Sequence, residues 1–180
     1  MKRDNLKFNP AALAPGLLKD FAKREPESTL PRHFLYPGHI FVTKEATAIS
    51  TILGSCAAVC LWDRRLKVGG MNHYLFPEGL EDTPNRLRYG NVANPELLKQ
   101  MLALGCEVKD LQAKIFGGSC AFSADPVLAV GSKNVVLAEE FLRGAGIATV
   151  AKDVSGKNGR RLTFNTGDGS VLLKSYETEG

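Results

Sequence analysis

Cys56 and His73 are the two side chains of this sequence best suited to covalent chemistry. They lie 17 positions apart in the stretch TILGSCAAVCLWDRRLKVGGMNHYLFP, with a polar segment midway between them. Two short apolar runs joined by a polar loop are typical of a β-hairpin. A turn centred between Arg64 and Arg65 places Cys56 directly opposite His73, with Cβ atoms about 4.5–5.5 Å apart. A slip of one residue would turn one of the two side chains to the other face.

A thiol beside an imidazole is a potential nucleophile, because a histidine takes the thiol proton and lowers the thiol pKa below its usual value of about 8.5. Gly54 and Ser55 precede Cys56, so the chain can turn tightly there. Backbone N–H groups directed at one point by such a turn can stabilise an oxyanion. Ser50 and Thr51 each offer a hydroxyl group that can orient the imidazole, as the third group of a triad does. The sequence leaves open which of the two does so.

Several alternatives compete with this interpretation. Cys60, Cys106 and Cys120 have the character of small apolar core residues, and Cys56 can also be read in that way. Cys56 and Cys60 are spaced as C-x3-C, but Cys106 and Cys120 lack the short spacing that closes structural zinc sites, so no metal is predicted. A cysteine protease is disfavoured because the sequence indicates no extended groove for a peptide. His33 and His39 are assigned to surface or packing roles.

Composition narrows the class of protein. The chain has 180 residues, of which 44% are hydrophobic and 23% charged, and this predicts one ordinary globular core. The net charge is +4, but no run of Lys or Arg exceeds two residues, so nucleic acid is not an expected partner. No secretory signal is visible, and no apolar run approaches the ~18 residues that cross a bilayer. Four cysteines do not suggest a disulfide framework, and we expect a cytoplasmic protein without membrane insertion.

The chain divides into an N-terminal extension, residues 1–32, and a compact domain, residues 33–180. An apolar stripe at Leu17, Leu18 and Phe21 predicts that the extension is partly helical and packs onto the domain or onto a partner. No sustained coiled-coil heptad is present, so a monomer is expected.

Within the domain, strands outnumber helices. A strand is predicted from His39 to Lys44, and the segments AKIFGG, IATVAKDV, RRLTFNT and SVLLKS predict further strands. One helix is predicted with Asn94 as its cap and Pro95 at its first position, and a second is predicted from Ser132. This order is unlike repeated βαβ units, so we predict an α+β fold with mainly antiparallel sheet layers and flanking helices.

At these residues the sequence resembles a known family, the chemoreceptor glutamine deamidases called CheD. The resemblance runs from about Pro37 to Lys174, and its landmarks are LGSCAAVCLWD, VGGMNHYLFP, RYGNVANPELL, KIFGGSCAF, VGSKNVVLAEEFLRGAGI and NGRRLTFNTGDGSVLL. It implies a CheD-like cysteine hydrolase fold, with the nucleophile at Cys56 and the catalytic histidine at His73. The family threonine, six positions before the cysteine, falls on Ser50, with Thr51 next to it. Ser155 and Cys120 also depart from the family pattern.

The resemblance implies that a receptor glutamine side chain becomes glutamate through a Cys56 thioester, without metal or organic cofactor. Gly117 and Gly118 are expected to bring backbone close to the active centre, and the segment from Arg88 to Asn91 to border the cleft. The implied partners are the cytoplasmic domain of a methyl-accepting chemoreceptor and a CheC-type phosphatase. A glutamyl methyl ester could follow the same route. The alternative is a binding module for the receptor or the phosphatase, with weak or absent catalysis.

Overall fold

The structure is a computed structural model that describes residues 29–120 and 129–176. Most of the predicted extension, residues 1–28, therefore lies outside the described residues. Arg32, the last residue of the predicted extension, belongs to the first strand and pairs with Ala48 of the third strand. The strands of the described part are β1 (Arg32–Phe34), β2 (His39–Thr43), β3 (Ala48–Leu53), β4 (Ala57–Asp63), β5 (Val68–His73), β6 (Leu111–Gly117), β7 (Ala148–Val154), β8 (Gly159–Asn165) and β9 (Val171–Tyr176). The helices are α1 (Gly90–Ala103) and α2 (Val130–Gly144), with short 3-10 turns at Arg86–Arg88 and Val108–Asp110.

Two sheets lie face to face, and the helices cover one of them. The five-stranded sheet has the order β2-β5-β4-β6-β7, and the four-stranded sheet has the order β1-β3-β8-β9. The pairs β1–β3 and β6–β7 are parallel, and the other pairs are antiparallel. The predicted α+β fold with mainly antiparallel sheet is confirmed.

Strand β4 is buried on both faces and separates two cores. Ala57, Val59 and Leu61 belong to a core that includes residues of α1 and α2. Ala58 and Cys60 belong to a second core between the two sheets. Successive strand residues point to opposite faces, so this alternation follows from the strand geometry. Each large side chain buried in these cores contributes about 1.5–3 kcal/mol, and the strand that leads out of Cys56 is held from both sides.

The turn of the β4–β5 hairpin does not lie where the sequence places it. Cys60 pairs with Met71 and Asp63 with Val68, so the turn is centred one residue later than predicted. The Oδ1 atom of Asp63 accepts hydrogen bonds from the N–H groups of Arg65 and Leu66, both at 2.8 Å. Lys67 closes the turn with a φ of 57°, a left-handed conformation that is uncommon for a non-glycine residue. The predicted register is therefore wrong by two residues, an even number, which keeps the faces of the strands.

Helix α1 begins earlier than predicted. Its first residue is Gly90, and Asn94 lies inside the helix rather than at its cap. Asn94 is buried and its Oδ1 atom accepts a hydrogen bond of 2.8 Å from Asn72 Nδ2 on β5. This tertiary hydrogen bond explains why a residue with a strong capping preference lies within the helix. Pro95 also lies inside the helix, beyond the first position that was predicted.

Candidate active site

The segment Gly54–Cys56 connects β3 of one sheet to β4 of the other. Each of its carbonyl oxygens accepts a hydrogen bond: Gly54 O from Ser119 N at 2.8 Å, Ser55 O from Asn134 Nδ2 at 3.0 Å, and Cys56 O from Gly118 N at 2.8 Å. Among the described residues, the N–H groups of Gly54, Ser55 and Cys56 donate to no backbone oxygen. Carbonyls that are held on one side and N–H groups that are left available are the arrangement that binds a developing oxyanion.

Gly117 and Gly118 support this segment from the end of β6. Gly117 has a φ of 103°, and a Cβ atom at this position would lie 2.2 Å from Cys56 O. Gly118 has a φ of 68°, and a Cβ there would lie 2.4 Å from the Val135 side chain. Only glycine tolerates both the backbone conformation and the close approach. Since the Gly118 N–H already donates to Cys56 O, this group holds the nucleophile segment and does not face a substrate.

His73 is the last residue of β5 and is 1% exposed. Its Nδ1 atom lies 2.9 Å from Thr51 Oγ1, and the Thr51 hydroxyl donates to Leu35 O at 2.7 Å. A hydroxyl group has one proton, and here that proton is given to a carbonyl. The Thr51 oxygen must therefore accept from Nδ1–H, which leaves the lone pair of the neutral ring on Nε2. Thr51 thus fixes the tautomer in which Nε2 can act as a base.

The structure distinguishes between the two candidate hydroxyl groups. Thr51 is 1% exposed and points into the space between the sheets, where His73 lies. Ser50 immediately precedes Thr51 in β3 and faces the opposite side of the sheet, since strand residues alternate. Its carbonyl oxygen accepts a hydrogen bond from Leu35 N at 2.8 Å. Ser50 therefore contributes backbone to this region, while the hydroxyl group on the imidazole is that of Thr51.

Cys56 and His73 lie on the same face but not directly opposite each other. The pairing of Ala57 with Tyr74 continues the β4–β5 register, which puts His73 opposite Ala58 and diagonal to Cys56. Cys56 packs against the core between the sheets, the same space that His73 enters. Diagonal neighbours of this kind have Cα atoms about 7–8 Å apart. Within the described residues, His73 Nε2 has no hydrogen-bond partner, so the thiol and the ring are not hydrogen-bonded in this structure.

The protonation states of the pair follow from burial. Burial lowers the pKa of His73 to about 4; the Leu35 carbonyl opposes this shift and the electrostatic influence of His39 adds to it. Burial raises the pKa of the Cys56 thiol, although its own backbone N–H and the charge of Arg88 act in the other direction. The expectation that the histidine lowers the thiol pKa is therefore wrong for the resting structure. Near neutral pH both groups are uncharged, a thiol beside a basic imidazole.

Arg88 lies beside the pair in the loop that precedes α1. Its carbonyl oxygen accepts hydrogen bonds from Leu75 N at 2.9 Å and Phe76 N at 3.1 Å, just after His73 in the chain. Its positive charge favours the thiolate form of Cys56. Asn91 donates its side-chain N–H to Gly79 O at 3.0 Å and so fixes the preceding loop. The segment from Arg88 to Asn91 was predicted to border the cleft. In the structure, the charge of Arg88 acts on the Cys56 thiol.

Asn134 is a site residue that the sequence did not reveal. It lies on α2, distant in sequence from Cys56 and His73, and is fully buried. An asparagine in an amphipathic helix carries no sequence signal that its side chain will bond the nucleophile segment, as Asn134 Nδ2 does at Ser55 O. Only the packing of α2 against the ends of β4 and β5 brings it to the site.

The remaining cysteines and the helices add no further chemistry to the pair. None of the four cysteines, all of which lie in the part of the chain that the structure describes, forms a disulfide, and Cys60 and Cys106 are buried. Within residues 29–120 and 129–176, no three His, Cys, Asp or Glu side chains gather as a metal site would require. None of the helices in this part of the chain is long and apolar enough to span a membrane.

The sequence also matches one family model and individual proteins. The family model described as "CheD chemotactic sensory transduction" matches residues 76–175. The "Probable chemoreceptor glutamine deamidase CheD" of Rhodospirillum rubrum is 42% identical over 84% of this chain and 86% of that protein. The protein of the same name from Trichlorobacter lovleyi is 44% identical over 81% of this chain and 91% of that protein. Among solved structures, the Neisseria meningitidis protein NMB0706 of family model DUF152 gives a TM-score of 0.44 with 14% identity, over 71% of this chain and 65% of that one.

Proposed function

This chain belongs to the CheD family, and from that premise we propose that it is a chemoreceptor glutamine deamidase with Cys56 as nucleophile and His73 as general base and acid. The observation that carries the proposal is the hydrogen bond between Thr51 and His73 Nδ1, which leaves Nε2 unprotonated on the face that Cys56 shares. The substrate is the side chain of a glutamine in the cytoplasmic domain of a methyl-accepting receptor. The compartment we propose is accordingly the cytoplasm.

The reaction begins from the uncharged pair. As the Cys56 sulfur attacks the carboxamide carbon, the thiol proton passes to His73 Nε2 and the electron pair of the C=O bond moves to oxygen. The N–H groups of Gly54–Cys56 stabilise that oxyanion. When the intermediate collapses, the C–N bond breaks and the departing nitrogen takes the proton from Nε2. Ammonia leaves, and a thioester joins Cys56 to the substrate.

Water completes the reaction by the reverse proton path. His73 Nε2 takes a proton from water as the water oxygen attacks the thioester carbon. Collapse of the second intermediate breaks the C–S bond, and the sulfur recovers its proton from Nε2. The product is glutamate, so an uncharged amide on the receptor becomes a carboxylate. Because His73 has a low pKa, it is in the basic form needed for both steps at neutral pH.

Three finer proposals rest on the same chemistry and family. A glutamyl methyl ester reacts by the same route, with methanol leaving in place of ammonia, and methanol release from a methylated receptor tests this. The chain acts as a monomer, which light scattering tests. It binds a CheC-type phosphatase, and co-elution of the two purified proteins tests this.

The decisive experiment incubates the purified protein with a receptor cytoplasmic fragment and follows each glutamine by peptide mass spectrometry. The wild type and Cys106→Ala, a buried cysteine outside the site, should convert glutamine to glutamate, whereas Cys56→Ala and His73→Gln should not. Equal conversion by Cys56→Ala would show that the nucleophile is wrong. Binding of the fragment without conversion by the wild type would favour the binding-module alternative.

A further inference from the structure

One amide side chain connects the nucleophile segment to the strand that carries the base. Asn134 Nδ2 donates hydrogen bonds to Ser55 O at 3.0 Å and to Leu75 O at 2.9 Å. Ser55 immediately precedes Cys56, and Leu75 lies two residues after His73. A single NH2 group therefore spans the two backbones at the position of the site.

The amide bridges a point where the backbone pairing ends. The last backbone pair in the β4–β5 register is an isolated bridge between Ala57 and Tyr74, whose N–H groups and carbonyls form hydrogen bonds of 3.1 and 3.0 Å. In that register Cys56 is opposite Leu75, one step beyond the last pair. Asn134 occupies this step, and its two hydrogen bonds replace those that the backbones do not make. The contact is anchored further by Tyr74 Oη, which donates to Asn134 O at 2.6 Å.

The chemistry of this position requires an uncharged group with two donors. Ser55 O and Leu75 O are both acceptors, so the amide nitrogen, not the oxygen, must face them. A carboxylate of the same shape would place oxygen against two carbonyl oxygens. The amide nitrogen satisfies both carbonyls, while Asn134 Oδ1 is buried without a hydrogen-bond partner within the described residues.

The other supports of the segment hold it to a different strand. Gly118 N and Ser119 N donate to Cys56 O and Gly54 O from the end of β6. Among the side chains that the structure describes, Asn134 is the one that bonds the segment to the end of β5. Without it, the segment keeps its hydrogen bonds to β6 and the backbone pair of Ala57 with Tyr74, but loses the contact that holds Ser55 and Leu75 together beyond that pair.

We propose that Asn134 is a positioning residue for the deamidation: by bridging Ser55 and Leu75 it sets the separation between the Cys56 sulfur and His73 Nε2. This inference rests on the proposed function. The Asn134 side chain touches no reacting atom, so its loss should lower kcat while leaving substrate binding nearly unchanged. Small misplacements of a nucleophile are known to cost up to about 100-fold in rate.

The test compares Asn134→Ala and Asn134→Asp with Asn94→Ala. Asn94 is a matched control, because it is also a buried helical asparagine whose side chain bonds β5, but through Asn72 and not through the segment that precedes Cys56. We expect both Asn134 variants to lower kcat on the receptor fragment at least about 10-fold with KM changed less than about threefold. Asn94→Ala should change kcat less than about threefold at a similar loss of thermal stability. In Asn134→Asp, kcat relative to wild type should rise as pH falls, because a protonated carboxyl can donate one of the two hydrogen bonds.

A second measurement does not depend on activity. Amide hydrogen exchange at Ala57 and Tyr74 should speed up more in Asn134→Ala and Asn134→Asp than in Asn94→Ala, because Asn134 bonds both Ser55 and Leu75 beside this pair. Unchanged exchange at these amides, or a kcat that follows stability equally in all three variants, would overturn the inference. If Asn134→Ala fails to fold, the isosteric Asn134→Asp decides by the same criteria. An inactive wild type would instead refute the proposed function, and the exchange data would still decide whether the bridge exists.

Discussion

Replacing Thr51 with valine removes one hydroxyl group and nearly preserves the shape of the side chain. In the structure this hydroxyl donates to Leu35 O at 2.7 Å and accepts from His73 Nδ1 at 2.9 Å. Both partners are buried, so the substitution leaves a carbonyl and a ring N–H unpaired. Each unpaired group costs about 1–3 kcal/mol, so with two such groups we expect the free energy of unfolding to fall by about 2–6 kcal/mol. Urea denaturation measures this loss.

The same substitution should slow catalysis. Without Thr51 as acceptor, the His73 proton can move to Nε2, where it blocks the base. The hydrogen bond to Thr51, worth about 1.4 kcal/mol, favours the tautomer with the proton on Nδ1 over the tautomer with the proton on Nε2. Its loss corresponds to a factor of about 10 in kcat. Loss of ring orientation adds to it, so we expect a decrease of about 10- to 100-fold. This is less than the roughly 10,000-fold effect of an aspartate in this role, because the hydroxyl is uncharged.

The assay is the initial rate of ammonia release from a receptor fragment at saturating concentration. Thr51→Ser keeps the hydroxyl and should retain most of the activity, and Ser50→Ala removes the neighbouring hydroxyl on the other face and should stay within about twofold of wild type. The reasoning is refuted if Ser50→Ala loses activity while Thr51→Val keeps it.

Other consequences can be measured on the same protein. Since burial lowers the pKa of His73 from 6.5 to about 4, the folded chain binds fewer protons than the unfolded chain in this range. The free energy of unfolding should therefore fall by about 3 kcal/mol as the pH falls from 6.5 to 4. If the urea midpoint of His73→Gln depends on pH as strongly as that of the wild type, this prediction is contradicted. Gly117→Ala should lose at least about 2 kcal/mol of stability, because its φ is 103° and its Cβ meets Cys56 O, whereas Gly144→Ala, with open space around the Cβ, should not. Arg88→Met should move the pH midpoint of Cys56 alkylation upward, since a positive charge that favours the thiolate is lost. Arg88→Lys keeps the charge and is the control; equal midpoints in the two variants would exclude this role of Arg88.

The hairpin could be predicted from sequence because its signals are local. Two apolar runs flank a polar turn, and alternation along β4 and β5 follows from strand geometry. The register could not be predicted, because it depends on how Asp63 Oδ1 binds two turn amides and on the left-handed Lys67. The error was an even number of residues, so Cys56 and His73 still share a face.

The helix start and the supporting residues lay beyond sequence reasoning for a different reason. Asn94 has the local character of a helix cap, but a hydrogen bond from Asn72 across the core gives it another role. The choice between Ser50 and Thr51 and the contacts of Asn134 likewise depend on which elements pack together. Such contacts join positions far apart in the chain, and neither spacing nor composition records them.

The most direct test of the mechanism is to quench the reaction during turnover and map the peptide that contains Cys56. We predict an adduct at Cys56 with the mass of the receptor peptide less ammonia, sensitive to hydroxylamine and strongly reduced in His73→Gln. Glutamate formation by protein in which Cys56 is fully alkylated, or an adduct on any other residue, would contradict it.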